Sequence, residues 1–152
     1  MEIMTKHFGN VDIDETKVIT FEDGIFGFKE MKDFILLYDQ GEEGGALVWL
    51  QAVKDPKTCL PLINPMMWFP DYAPEVEDDL IASIGQLDPK VLDIFTVVVI
   101  PDKIEQMTTN LKAPILINRE TKKGRQVIAN DETYDIRHNL YQQMKLMSKG
   151  GE

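Results

Sequence analysis

The chain has 152 residues, 43% of them apolar, and a formal net charge of -10. This length fits one domain with a sizeable core, and the apolar content excludes a disordered chain. The single cysteine excludes an internal disulfide and a thiolate metal cluster, and the negative charge disfavours nucleic acid as a direct partner.

Charge distribution and hydropathy narrow the class of protein further. The first 118 residues carry nine Lys/Arg against twenty-one Asp/Glu, a net -12, whereas the remainder carry seven against five, a net +2. Such a field favours a basic partner, although it also serves simply to keep a small protein soluble. No apolar run approaches the ~20 residues that a membrane helix needs. The first residues lack the apolar core of a signal peptide, so we expect a cytoplasmic protein without a membrane partner.

The first 65 residues predict short strands separated by turns. A hairpin formed by residues 2–8 and 11–13 is expected to turn at Gly9 and Asn10, a pair that tolerates positive φ. Turns every eight to twelve residues are typical of an antiparallel sandwich or barrel. The further strands predicted in this part are 18–21, 34–38, 46–53 and 59–63, with polar turns at 40–45 and 55–57.

Two features interrupt these strands. The residues from Glu22 to Phe28 place Gly24 and Gly27 among aromatic side chains, which predicts a tight bend or bulge packed on the core. Asn64 and Pro65 then end the last of these strands.

The middle of the chain changes to helical periodicity. Val76, Leu80, Ile81 and Ile84 fall on one face of a predicted helix over 75–84, with Pro74 at its first position and Gly85 at its end. Acidic residues in the first turns suit the positive end of the helix dipole. Residues 88–92 are expected to add one more turn.

The last third returns to strands and ends in a helix. Residues 94–100 form a β-branched run that predicts a strand buried on both faces. A hairpin is predicted from 113–118 and 125–129, across a turn at 121–124. Residues 131–147 carry one apolar helical stripe, formed by Ile136, Leu140, Met144 and Met147.

These elements predict a mainly β protein, with a small antiparallel β-barrel-like fold, one short mid-chain helix and a C-terminal helix. Residues 1–130 are expected to form one domain. Residues 131–152 are expected to add a helix and a frayed tail packed on the same domain.

Catalytic chemistry has few candidates in this sequence. His7, His138 and Cys59 lie far apart along the chain, and each is better explained as a structural or surface residue than as a catalytic group. Residues 75–79 lack the alternating ligands of a calcium loop, and no glycine cluster precedes a lysine and hydroxyl at phosphate-loop spacing. Lys122, Lys123 and Arg125 are too few for a nucleic-acid site. We therefore expect no cofactor and no metal.

Two apolar segments indicate protein binding. A segment bounded by prolines carries Met66, Met67, Trp68, Phe69 and Tyr72, and the predicted last helix carries Met144, Leu146 and Met147. Methionine and aromatic side chains are common at protein-binding surfaces. The alternative is that these side chains close one end of the barrel.

The stretch from Gln106 to Asn118 is polar at its start and β-branched at its end. Its amides and hydroxyls must find hydrogen-bond partners if the stretch is buried. No catalytic motif explains it.

Several short motifs are spread over nearly the whole chain, namely Phe21-Glu-Asp-Gly-Ile-Phe-Gly-Phe28, Leu50-Gln51 with Asp55, Asn64-Pro65 with Phe69 and Asp71-Tyr72, Thr109-Asn-Leu-Lys-Ala-Pro-Ile-Leu-Ile-Asn118 and Gly124-Arg-Gln-Val-Ile128. Taken together, these motifs resemble the FliW family of flagellar assembly factors. The departures are Arg125, where a lysine is common, and a C-terminal helix longer than in many members.

The resemblance implies a non-enzymatic barrel that binds CsrA, an RNA-binding translational repressor, and relieves its repression of flagellin synthesis. It also implies binding to flagellin, which would capture the protein and free CsrA. The alternatives are a flagellin-directed export chaperone, which would use the last helix, and a small-molecule-binding barrel.

The residues that we expect to contact partners combine acidic groups with apolar anchors. They are Met67, Trp68, Phe69, Asp71, Tyr72, Glu75, Glu77, Asp78, Asp79, Asn110 and Leu111.

Overall fold

The structure, a computed structural model, describes residues 1–38, 47–85 and 90–150, with the side chains of 148–150 left out. The polar turn predicted at 40–45, residues 88–89 of the predicted extra helical turn and the end of the tail lie outside these residues. Within them, no helix is both long and apolar enough to cross a bilayer. The strands are β1 Glu2–Thr5, β2 Gly9–Asp12, β3 Ile19–Thr20, β4 Asp33–Tyr38, β5 Val48–Ala52, β6 Cys59–Ile63, β7 Leu92–Val99, β8 Thr108–Thr109, β9 Ile115–Asn118, β10 Lys123–Gln126 and β11 His138–Asn139.

Three helices accompany the strands, namely α1 Pro65–Trp68, α2 Asp78–Ala82 and α3 Leu140–Gly150. Seven strands close into a barrel in the order β7-β6-β5-β4-β3-β10-β9, because β9 pairs with both β10 and β7. The predicted β-barrel-like fold is therefore confirmed, with one difference. The pair formed by β3 and β10 is parallel, whereas the other pairs in the ring are antiparallel.

The barrel interior is filled by apolar side chains from nearly every strand of the ring. The rings of Phe21 and Phe34 meet edge to face with their centroids 5.5 Å apart, which is a favoured aromatic geometry. Gln51 is also fully buried, and its Nε2 donates to the carbonyl oxygens of Ala52 and Asp55 at 3.0 Å each. Strand β6 has the bounds that the sequence predicts, and β4 and β5 are each within two residues of theirs.

The N-terminal hairpin is present, but its turn lies earlier than predicted. Thr5 pairs with Gly9, so Lys6, His7 and Phe8 form the turn and Asn10 lies within β2. The Thr5 hydroxyl accounts for this register, since its oxygen donates to the Gly9 carbonyl at 2.8 Å and accepts from the Phe8 amide at 2.8 Å. The hairpin packs through Ile3 and Ile13 against Ile35.

The predicted helix over 75–84 shortens to α2, residues 78–82. Glu75 is unavailable to a helix because its amide donates to the Asp131 carboxylate at 2.6 Å and its carbonyl accepts from the Asn130 amide at 2.7 Å. These contacts hold residue 75 against the segment after β10. Pro74 is thus not the first helical residue, and Leu92 belongs to β7 instead of a helical turn.

The last helix also begins later than predicted, at Leu140 in place of residue 131. Before it, the Asp135 carbonyl accepts from the amides of Leu111 and Lys112, and His138 pairs with Thr109 in β11. These long-range bonds override the helical stripe, and Ile136 is 64% exposed as a result. Strand β7 is likewise less buried than predicted, because Val99 at its end is exposed.

Candidate protein-binding surface

A short helix opens the first candidate surface directly after β6. Asn64 caps α1 through its Oδ1, which accepts from the Met66 amide at 3.1 Å, and Pro65 occupies the first helical turn. Pro and Asn are well suited to these positions. The helix ends after one turn, where the Phe69 amide donates to the Pro65 carbonyl at 2.7 Å. The next turn brings the Tyr72 amide to the Phe69 carbonyl at 2.9 Å.

The segment after α1 forms one wall of an open groove of about 350 Å³. Its aromatic side chains meet residues that precede α3. Phe69 contacts the His138 ring edge to face, with centroids 5.0 Å apart, and Tyr72 contacts Tyr134 at 4.8 Å. The Tyr134 hydroxyl also accepts from the Ala73 amide at 3.0 Å. Two distant parts of the chain are therefore joined along this groove.

Tyr72 and Leu111 support the groove from beneath. They are 4% and 3% exposed, and the Tyr72 hydroxyl donates to the Leu111 carbonyl at 2.7 Å. Burial raises the pKa of Tyr72 far above its ordinary value, with smaller contributions from Tyr134 and Asp131. Its phenol therefore stays protonated and keeps this bond. Of the predicted anchors, these two are therefore buried inside the molecule.

Asn110 is half-buried and closes a turn. Its Oδ1 accepts from the amides of Lys112 and Ala113 at 3.1 and 3.0 Å. Thr109 is buried, and its hydroxyl bonds the Thr96 hydroxyl at 2.8 Å and the Val97 carbonyl at 2.9 Å. The side chains of Thr109 and Asn110 thus find hydrogen-bond partners within the protein, as buried polar groups must.

Exposed apolar side chains lie beside the groove. Met67 is 52% exposed on α1, and Leu146 is 65% exposed on α3. The two helices are in contact, and the side-chain Nε2 of Gln143 in α3 donates to the Trp68 carbonyl at 2.7 Å. The Trp68 ring is half-buried in a cluster with Ile63. Methionine and leucine presented on packed helices form a surface that apolar partners can use.

The predicted acidic residues are found at more than one groove. Asp71 is exposed at the groove described above, whereas Glu77 borders a separate groove of about 370 Å³ together with Phe26 and Ile128. Within the part of the chain that the structure describes, no ion pair involves these acids. The exposed carboxylates concerned are Asp71, Glu75, Glu77, Asp78 and Asp79. The sequence predicts the apolar anchors and the acids as one set, whereas Phe69 and Glu77 line different grooves.

Sequence reasoning missed Thr133, Tyr134 and Gln143 as lining residues of the first groove, and it gave His138 no role there. Thr133, Tyr134 and His138 precede α3 and were assigned to the helix predicted over 131–147. A helix would have directed their side chains along a different face, so their place in the groove was not foreseen. The one indication in the sequence was Tyr134, a large aromatic residue that lies outside the apolar stripe of the predicted helix.

Cys59, His7 and His138, the residues considered for catalysis, lie in surroundings that suit a structural role. Burial raises the pKa of Cys59 to about 11, so its thiol is protonated and a poor nucleophile near neutral pH. The His7 ring lies 4.3 Å from the Trp49 ring, and His138 is in contact with Phe69. Among residues 1–38, 47–85 and 90–150, no three His, Cys, Asp or Glu side chains are grouped so that they could hold a metal ion.

Comparisons with known proteins agree on one family. The family described as FliW protein matches residues 2–140. A flagellar assembly factor FliW of Lachnoclostridium phytofermentans is 37% identical over 150 residues, which cover 98% of this chain and 96% of the relative. One from Caldanaerobacter subterraneus is 41% identical over 145 residues, or 95% and 96% of the two chains. A crystal structure of the flagellar assembly factor FliW superposes with a TM-score of 0.84 at 31% identity, covering 93% of this chain and 97% of the other.

Proposed function

The chain belongs to the FliW family of flagellar assembly factors, and from that premise we propose that it acts without catalysis, as a cytoplasmic antagonist that binds CsrA and relieves the repression of flagellin synthesis. We propose in addition that it binds flagellin, so that accumulating flagellin takes the protein away from CsrA. Both activities require surfaces for proteins, and neither requires a cofactor.

The observation that carries the proposal is the uncompensated acidic segment of residues 75–79. Its carboxylates are exposed and lack an ion pair among the described residues. A protein that binds RNA presents basic side chains, and unpaired carboxylates attract such a surface and orient it. The same negative field repels the phosphate backbone of RNA. The protein therefore competes with RNA for CsrA and has no affinity for the RNA.

Competition with RNA tests this proposal directly. Labelled leader RNA bound to CsrA is titrated with the wild-type chain and with the double variant Glu77→Lys, Asp78→Lys. We expect the wild type to release RNA, and the variant to need about tenfold more protein at about 50 mM salt, because two attractive contacts become repulsive. Flagellin added afterwards should restore the RNA complex.

The matched control is Glu2→Lys, Glu15→Lys, since both side chains are exposed, one in the N-terminal hairpin and the other in the turn that follows it. Each double variant replaces two carboxylates by two lysines and so raises the net charge by four, from -10 to -6. The control should release RNA nearly as well as the wild type. Equal weakening of both variants would mean that only the overall field matters. Failure of the folded wild type to release RNA would reject CsrA antagonism.

A second candidate function, a flagellin-directed export chaperone, is favoured by the exposed apolar side chains on α1 and α3. Met67 and Leu146 are exposed on two helices that are in contact with each other. Such a surface suits the apolar face of an amphipathic helix of flagellin. CsrA binding would then be secondary. A small-molecule-binding barrel is disfavoured by the packed barrel interior, in which Phe21, Phe34 and Leu50 are fully buried.

A further inference from the structure

The extended segment that follows the last hairpin leaves one backbone edge open. Beyond β10 the chain continues alongside β9, and the amides of Val127 and Ala129 donate to the carbonyls of Pro114 and Lys112 at 3.0 and 2.8 Å. In an extended chain, successive peptide groups point to opposite sides. The amide and carbonyl of Ile128 therefore point away from this partner. Among the described residues, no backbone hydrogen bond reaches either group.

Side chains make this edge into a preformed groove. Phe26 and Ile128 are 46% and 56% exposed on the lining of the groove of about 370 Å³. Gln126 fixes its geometry, since its Oε1 accepts from the Phe26 amide at 2.9 Å and its Nε2 donates to the Ala113 carbonyl at 3.1 Å. The bend and the strand edge are thus held together before any partner arrives.

The charge of the groove is negative. Among the described residues that line the groove, Arg125 is the basic one. Its guanidinium already forms an ion pair with Asp23 at 3.2 Å and donates to the Ser83 hydroxyl at 3.0 Å. Glu77 lines the groove without an ion pair among the described residues, and Asp78 follows it in α2. A segment that carries lysine or arginine is therefore favoured at this edge over an acidic one.

We infer that residues 126–129 receive an extended, basic segment of a partner protein, which adds as a strand beside the extended segment that follows β10. Natural sheets usually protect an exposed edge with charge, proline or a covering element. Here the edge instead combines unpaired backbone groups, two exposed apolar side chains and unpaired carboxylates. Strand addition uses all three, because backbone bonds supply affinity while side chains select the sequence. The inference rests on the proposed function in that CsrA is the expected source of the segment.

The decisive variant is Ile128→Pro. It removes the open amide donor and costs no internal hydrogen bond, since the Ile128 amide bonds to no described backbone group. The matched control Ile128→Val keeps the amide and a β-branched side chain. Both variants are compared with the wild type for CsrA affinity, with thermal unfolding as the check on folding. We expect Ile128→Pro to weaken CsrA binding at least about tenfold and Ile128→Val to change it less than about threefold.

A second arm uses a synthetic probe in place of CsrA. The probe is an acetylated, amidated hexapeptide of alternating lysine and valine, followed by amide chemical shifts of the wild-type chain. We expect the shifts to centre on Ile128 and its neighbours. A version methylated on every second backbone nitrogen and a version with glutamate in place of lysine should both bind at least about tenfold more weakly.

The outcomes separate this inference from the proposed function. If CsrA binds Ile128→Pro as tightly as the wild type, strand addition is wrong while CsrA antagonism stands. If CsrA does not bind the wild type at all, the proposed function fails and the peptide decides the inference alone. Equal binding of the methylated and unmethylated peptides, or no binding of either, would overturn it. Should Ile128→Pro fail to fold, the same peptide comparison on the wild type decides between strand addition and its absence.

Discussion

Gly24 and Gly27 lie three residues apart in one bend, and both have positive φ, +70° and +89°. Their surroundings differ. A Cβ at Gly24 would lie 2.5 Å from the Cα of Lys29, whereas a Cβ at Gly27 would meet nothing within 4 Å. Only glycine adopts such backbone conformations without strain, so both positions disfavour other residues. At Gly24 a second restriction is added, because the chain folds back onto itself there.

The pair of variants Gly24→Ala and Gly27→Ala separates these two effects. We expect Gly27→Ala to lower the free energy of unfolding by about 1 kcal/mol, the cost of a left-handed alanine. Gly24→Ala should lower it by about 3 kcal/mol or more, because steric overlap adds to the same backbone strain. Urea denaturation measures both losses. Equal losses would show that the bend relaxes to admit the methyl group.

At the scale of elements, α3 is buried where it begins and exposed further along. Its first residue, Leu140, is fully buried in a cluster with Met107, and its amide donates to the Met107 carbonyl at 2.9 Å. Leu146 lies further along the helix and is 65% exposed. A short helix gains most of its stability from such packing, so its buried end anchors the exposed end. The helix thereby presents Leu146 to solvent in a defined orientation.

Substitution of these two leucines by alanine should therefore affect different properties, stability for Leu140 and partner binding for Leu146. Leu140→Ala is expected to lower the free energy of unfolding by about 2–5 kcal/mol through the cavity that it leaves. Leu146→Ala should change stability by less than about 0.5 kcal/mol. We expect it to weaken flagellin binding about fivefold while CsrA binding is unchanged, as calorimetric titration with each partner would show. Loss of both partners by Leu146→Ala would indicate one shared surface.

At the scale of the whole molecule, the negative charge is concentrated in the first 118 residues of the chain. The first 118 residues carry a net -12, whereas the whole chain carries -10. A field of one sign acts beyond direct contacts and accelerates the encounter with a molecule of the opposite sign. Salt screens such a field over a distance of about 10 Å at 0.1 M.

The association rate with CsrA should consequently fall with salt. Between about 50 and 500 mM sodium chloride we expect the association rate constant to drop at least about tenfold, with a dissociation rate constant that changes much less. Stopped-flow fluorescence gives both constants. The variant Glu77→Lys, Asp78→Lys should show a shallower dependence on salt. An association rate that is independent of salt would rule out electrostatic steering.

Much of the fold was predictable because local sequence patterns act over a few residues. Strand β6 has the predicted bounds, and β9 and β10 form the predicted last hairpin, although its turn lies at 119–122 and not at 121–124. The bend at Gly24 follows from glycine spacing, and the family follows from the string between Thr109 and Asn118. The candidate surface was predicted less well, since Tyr72 and Leu111 proved buried and Tyr134 was missed.

By itself, the sequence determined the class of fold, the positions of most strands, the acidic character and the family. Tertiary structure alone decided how the barrel closes, where α2 and α3 begin and which side chains share a groove. The reason is physical. The bonds from the Asn130 amide to Glu75 and from the Leu111 amide to Asp135 join residues far apart in the chain. Periodicity reports only local preference, and such long-range bonds outweigh the small free energies on which that preference rests.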